Sequence, residues 1–284
     1  MIFINTRPLD RGNNLSRFLT SDLQSCHIQV LDLPLLELVA CKIRAIDKQK
    51  LANLDHYQYI VFVSERAVSE FFNHVANFNH VAKHKVAKHN IARYKAILNA
   101  NCIAVGQKTA TAFCERFQQN FNHLPTILTP SQCNLPENNE GLLQLDAIKN
   151  LQANTKILII KGNNGRTLLK NTLQQRGVIV DTVDVYERIF PIASQQIFAN
   201  FYQSADFCQN KVVLITSITA WQYWQNLLTK FDLANAAAKQ GFVYLVLQAR
   251  IAKVLKEQGV YNVHVVNDVN PTTIQQKLLS QQNY

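Results

Sequence analysis

The chain is poor in charge, and the charge it has is lopsided. Only 17% of its 284 residues are Asp, Glu, Lys or Arg, against roughly 25% in an ordinary soluble chain. Lys and Arg number 29 and acidic residues 19, a net charge of +10. That surplus favours an anionic partner: nucleic acid, an anionic membrane surface or a small polyanion. No run approaches the roughly 18 apolar residues of a membrane span. The opening stretch MIFINTRPLDRG has neither a basic n-region nor a long apolar h-region, so no secretory leader is expected. None of the six cysteines, at 26, 41, 102, 114, 133 and 208, forms a Cys-x-x-Cys pair. No Cys/His cluster has zinc spacing, so no metal site is expected, and reduced thiols in a cytoplasmic protein are. With 48% hydrophobic residues the chain has ample material for one large or two ordinary domains.

What is present alternates. Short apolar runs at 2-4, 28-33, 59-63, 102-105, 126-128, 156-160, 178-185, 212-216, 243-247 and 263-266 read as strands. Most are followed by a stretch of helical periodicity, such as Leu15, Phe18 and Leu19 or Ala67, Val68, Phe71 and Phe72. Strand-helix alternation predicts an α/β fold with parallel sheets covered on both faces. The basic run 83-95, KHKVAKHNIARYK, lacks the interleaved aromatics of a stacking platform and reads as a solvated surface or an insertion.

The chain also repeats itself. IFINTRPLDRGNNLSRFL followed by HIQVLDLP is similar to ILIIKGNNGRTLLKNTL followed by VIVDTVDVY. YIVFVSERAVSEFF is similar to VVLITSITAWQYW, CIAVGQKTATAF to FVYLVLQARIAKVL, and PTILTPSQCNLPENNEGLLQL to NVHVVNDVNPTTIQQKLL. The pattern predicts two similar α/β domains with a cleft between them. Each unit places polar residues where a strand ends and a helix begins: Thr6 and Arg7; Ser64 and Arg66; Gly106 and Thr109; Gly162, Asn163, Gly165 and Arg166; Thr216, Ser217 and Thr219; Gln248 and Arg250. Ligands of open parallel sheets bind outside the carboxyl ends of the strands, and helix starts attract anions. Helix capping alone is the competing reading for the hydroxyl residues. The stretch IIKGNNGRTLLKNTLQQRG predicts a strand, a tight turn and a helix start directly after it. It has neither Gly-Lys-[Ser/Thr] nor Gly-x-Gly-x-x-Gly, so the anion it is expected to hold is not a nucleotide phosphate.

Several motifs together carry a family resemblance. They are Thr6-Arg7-Pro8, Leu33-Pro34-Leu35 with Glu37, Val63-Ser64-x-x-Ala67-Val68 and Ala104-Val105-Gly106-x-x-Thr109-Ala110. Glu140-Gly141-Leu142-Leu143, Gly162-Asn163-x-Gly165-Arg166, Val185-Tyr186-x-Arg188, Ile215-Thr216-Ser217 and Arg250-Ile251-Ala252 follow in order. With this order and spacing the chain resembles the uroporphyrinogen-III synthases over nearly its whole length. The resemblance implies two flavodoxin-like α/β domains joined by a two-stranded linker. One is discontinuous, 1-35 plus 187-284, the other is 38-183, and the linkers lie near 33-38 and 183-188. It implies an enzyme that takes hydroxymethylbilane, a linear tetrapyrrole octa-acid. The enzyme removes the terminal hydroxyl as water and closes the ring with inversion of the last pyrrole, without cofactor or metal. Tyr186 is implied as the proton donor. Thr6, Arg7, Ser64, Gly106, Thr109, Gly162, Asn163, Gly165, Arg166, Thr216, Ser217 and Arg250 are implied as substrate contacts. A monomer is expected, with transient contact to hydroxymethylbilane synthase and no nucleic-acid or membrane partner. The alternative is a non-catalytic, two-lobed small-anion binding protein.

Overall fold

The computed structural model describes residues 1–22, 27–77, 95–119, 126–235 and 239–281. Of the basic run 83-95 only Lys95 falls among them. The strands, in chain order, are β1 (Ile2–Asn5), β2 (Gln29–Asp32), β3 (Glu37–Ala40), β4 (Tyr59–Phe62), β5 (Asn101–Ala104), β6 (Ile127–Leu128), β7 (Lys156–Gly162), β8 (Ile179–Ile189), β9 (Lys211–Ile215), β10 (Phe242–Val246) and β11 (Val263–Val265). The chain divides into two compact units, Met1–Leu38 with Arg188–Tyr284, and Val39–Glu187. It passes from one to the other within β3 and within β8, which are neighbours in one sheet.

The first unit's sheet has the order β11-β10-β9-β1-β2, and every neighbouring pair is parallel. Counted by appearance within the unit, this is the flavodoxin order 2-1-3-4-5 read from the β2 edge. The second sheet has the order β3-β8-β7-β4-β5-β6, parallel from β8 to β6. Counting from β7, its five parallel strands follow the same order. The repeated segments of the sequence therefore occupy matching places: β1 and β2 correspond to β7 and β8, β9 to β4, β10 to β5, and β11 to β6.

Strand periodicity of two explains the two-sided core. In β1, Ile2 and Ile4 join one buried cluster and Phe3 the other. In β9, Val213 and Ile215 go one way, Val212 and Leu214 the other. With helices on both faces no strand residue needs to be polar, which is why the runs read as nearly continuous apolar segments. One face of the first unit is aromatic. Trp224 meets Phe198 and Phe242 edge-on at 5.5 and 5.3 Å, and its indole N–H donates to the Tyr244 hydroxyl at 3.2 Å. The second unit has its own aromatic nest, with Phe62 centred 5.2 Å from Phe71 and 5.0 Å from Phe113.

The order in which strands are added across the sheet reverses between β1 and β9 in the first unit and between β7 and β4 in the second. At such points the loops leave in opposite directions and open a crevice outside the carboxyl ends of the strands. Among the described residues no helix is long and apolar enough to cross a membrane. Nor, among them, does any group of three or more His, Cys, Asp and Glu side chains stand ready to hold a metal ion.

Candidate active site

At the carboxyl ends of β7 and β4, where the strand order of the second sheet reverses, the central side chain is Tyr186. The β7–β8 ladder runs in register to Lys161 opposite Asp184, then shifts, so that Gly162 faces Tyr186 and Val185 is the extra residue. A bulge of this kind re-aims the side chain that follows it. Tyr186 is thereby turned onto the end of β7, where it is 3% exposed. Gly162 makes the room: a Cβ there would lie 2.5 Å from both Cε2 and Cζ of the ring and 3.0 Å from its hydroxyl. The end of β4 supplies the partner. Ser64 caps the helix Glu65–Asn77 by accepting from the amide of Ala67 at 3.1 Å, and its Oγ donates to the Tyr186 hydroxyl at 3.2 Å. A phenol that accepts from a serine retains an O–H bond with which to donate. Loss of this serine is measurable in two ways. Ser64→Ala removes a helix cap worth about 1 kcal/mol and one hydrogen bond to Tyr186. A denaturant melt should shift by that amount and kcat should fall several-fold.

Two residues not singled out by motif support the bulge. Lys161 Nζ lies 2.8 Å from Asp184 Oδ1 and donates to the carbonyl of Gly162 at 3.1 Å. Their signal in the sequence is slight: a lysine directly before the turn and an aspartate one side-chain period before Tyr186. Nearby, burial pushes the Cys41 thiol up, with Glu187 and Asp184 adding to it, which favours the protonated thiol. Burial holds the His74 imidazole below its usual range, against the pull of Glu70 and of a backbone hydrogen bond to Val185.

The turn after β7 differs from the expected anion nest. The amide of Asn163 donates to the Tyr186 carbonyl at 2.7 Å and that of Gly165 to the Gly162 carbonyl at 3.3 Å. The amide of Asn164 donates to Asn163 Oδ1 at 2.9 Å. Asn164, with φ 55°, takes the left-handed place expected of a glycine. The helix starts only at Leu168, after Arg166. The Asn163 amide thus ties the turn to Tyr186, those of Asn164 and Gly165 close the turn on itself, and the Arg166 side chain is left outside it. Its guanidinium is exposed and lies 3.7 Å from Glu140.

The other expected contacts fall into two groups. Thr6 is buried and its hydroxyl donates to the carbonyl of Leu214, tying β1 to β9. Thr109 is also buried, within the helix Gln107–Gln118. Thr6 lies just past β1 and faces the end of β9, and Thr109 shares the buried stripe of its helix with Ala110, Phe113 and Phe117. By contrast, Arg7 is half-buried at the end of β1, and Thr216 and Ser217 are half-buried at the end of β9. Ser217 caps the helix Ile218–Lys230 by accepting from Ala220 at 3.1 Å. Arg250 is exposed in the first turn of the helix Ala249–Glu257, its Nε donating to Gln248 at 2.6 Å. Gly106, the N-cap of Gln107–Gln118, contributes no side-chain cap. Glu137 does instead, accepting from the amide of Gln107 at 2.8 Å.

Comparison with known proteins agrees with this fold. The family model described as uroporphyrinogen-III synthase HemD matches residues 19–272. A uroporphyrinogen-III synthase of Proteus mirabilis is 30% identical over 206 residues, 72% of this chain and 89% of that one. Among solved structures, a mutant uroporphyrinogen III synthase of Thermus thermophilus shares the fold with a TM-score of 0.56 at 12% identity, over 100% of this chain and 99% of that one. The Helicobacter pylori enzyme does so with a TM-score of 0.53 at 12% identity, over 90% and 93%. The family match runs across most of the length, and a relative aligns along the greater part of it: the chain belongs to the uroporphyrinogen-III synthase family.

Proposed function

We propose that this enzyme of tetrapyrrole biosynthesis acts as a carbon-oxygen lyase that cyclises hydroxymethylbilane. The observation that carries the reading is the Ser64–Tyr186 hydrogen bond at the strand ends, over a glycine that leaves space for the ring. The hydroxymethyl C–O bond breaks as the pyrrole nitrogen lone pair pushes in. The departing oxygen takes a proton from Tyr186 and leaves as water. The azafulvene so formed is attacked by the far end of the same chain, the closure that inverts the last pyrrole gives uroporphyrinogen III, and the proton released as the pyrroles regain aromaticity restores the Tyr186 phenol. The bilane loses water readily, so the larger task is to hold a flexible octa-acid curled with its ends together. Arg7, Arg166, Arg250, Ser217 and the amide at Gln107 are assigned to its carboxylates, and Asn163 to the rim of the tyrosine site. The net charge of +10 aids capture of such a substrate. The absence of paired thiols among the described cysteines, Cys41, Cys102, Cys114, Cys133 and Cys208, suits work in the cytoplasm.

The test is an isomer assay. Freshly made hydroxymethylbilane is incubated with and without the protein, the products are oxidised, and type I and type III uroporphyrins are separated. Mostly type III is expected with the protein; only type I, from folded protein, would sink the reading. In the same assay Tyr186→Phe should lower kcat by about tenfold, less than the usual general-acid contribution because the bilane loses water readily, and leave the product mostly type III. An unchanged kcat would remove Tyr186 as the donor.

A further inference from the structure

Two of the groups assigned above to substrate carboxylates already hold a carboxylate of the chain's own, and both come from one short segment. Glu137 Oε1 accepts from Gln107 N, the first amide of the helix Gln107–Gln118, at 2.8 Å. A Cβ on Gly106 would lie 2.4 Å from Glu137 Oε2 and 2.6 Å from its Cδ, so the carboxyl group fills the space of the side chain that Gly106 lacks. Three residues on, Glu140 Oε1 stands 3.7 Å from Arg166 Nη1. Both glutamates are exposed, so no burial locks either contact. From Cβ outward a glutamate is a propionate, chemically the same group as the longer acid arms of the bilane. A helix start that accepts one accepts the other.

We propose that Glu137 and Glu140 are internal competitors for the substrate, an autoinhibitory contact that the bilane's carboxylates displace. The identity of the displacing ligand rests on the function proposed above. A tethered carboxylate competes at high effective concentration. It therefore weakens every incoming acid by a constant factor, and an octa-acid overcomes it by contacts made elsewhere. Until substrate arrives, the two positive sites are kept from adventitious anions.

The test compares Glu137→Ala, Glu140→Ala and the double variant with the native chain, in steady-state turnover of hydroxymethylbilane and in equilibrium binding of uroporphyrin III, a stable octa-acid. The double variant should show a three- to tenfold lower KM and a matching fall in the Kd for uroporphyrin III, with kcat within twofold and the type III fraction unchanged. Glu137→Gln, which keeps an acceptor for Gln107 and so preserves the helix cap, should lie between; it gives the answer if the alanine variant folds poorly. Glu115→Ala, an exposed carboxylate in the second half of the same helix, should leave KM where it was. Unchanged or higher KM and Kd in the double variant would make Glu137 a helix cap only and overturn the proposal. An equal gain in Glu115→Ala would overturn it as well, by reducing the effect to net charge. If the native chain makes no type III product, the proposed function fails, and the uroporphyrin III titration alone decides this inference.

Discussion

Gly162→Ala is expected to cut turnover by about a hundredfold, the cost of a misplacement of about 1 Å at a positioned group. It should also destabilise the second unit by about 2 kcal/mol, the middle of the range for overpacking. The added methyl would sit 2.5 Å from two ring carbons of Tyr186, closer than carbon atoms pack. The ring has little freedom to yield, because it is 3% exposed and tied at its hydroxyl to Ser64. The backbone has little either, since the amide of Asn163 is bonded to the carbonyl of Tyr186 at 2.7 Å. The ring must leave its place, or the bulge must open. The loss should exceed that of Tyr186→Phe, which deletes one hydroxyl and leaves the ring seated. Gly165→Ala is the matched control. Its Cβ would meet the Gly162 carbonyl at 3.1 Å, a contact that a shift of a few tenths of an ångström relieves. Turnover of bilane, isomer ratio and a urea melt on the three variants separate the possibilities. A Gly162→Ala enzyme with native kcat would show that the seat of Tyr186 is immaterial to the reaction.

The part of the fold that was legible in the sequence is the part set by local pattern. Ile2, Phe3 and Ile4 alternate between two buried faces, and a period of two shows in any apolar run. The duplication was legible because β1, β9, β10 and β11 each have a counterpart with a similar helix after it, so the second sheet repeats the first with a shifted starting strand. The site was legible only in outline. Ser64 and Tyr186 are 122 residues apart in sequence, and no local pattern pairs them. The bulge beside Gly162 is a matter of register between two strands, invisible in either strand alone. Thr6 and Thr109 have the side chains of helix-start ligands, yet burial turns both inward. The segment 129-140 has the composition of a plain loop, and nothing in it announces that Glu137 reaches back to the amide of Gln107.

Gly141→Ala should cost about 3 kcal/mol, the upper part of the overpacking range, because the obstacle is backbone. A Cβ at this buried position would lie 1.9 Å from the carbonyl oxygen of Pro136 and 2.9 Å from its carbonyl carbon. No rotamer can relieve that contact. The surrounding hydrogen bonds resist relaxation: Asn138 Oδ1 accepts from Gly141 N at 2.8 Å, and the Asn138 amide donates to the same Pro136 carbonyl at 2.9 Å. On the far side Leu142 is fully buried in the core cluster of the second unit, so the helix Asn139–Gln144 is anchored and the Pro136 end must move. Glu137 is the next residue, and its grip on the Gln107 amide moves with it. The substitution should therefore lower the urea midpoint and, in the fraction that stays folded, lower KM for the bilane, as is expected of Glu137→Ala. A lower midpoint with native KM would mean that Glu137 keeps its place while Pro136 shifts, or that its place does not matter. Uroporphyrin III binding by Gly141→Ala and Glu137→Ala, measured side by side below the onset of unfolding, distinguishes the two: matching gains tie the packing of Gly141 to substrate affinity, and a gain in Glu137→Ala alone confines Gly141 to stability.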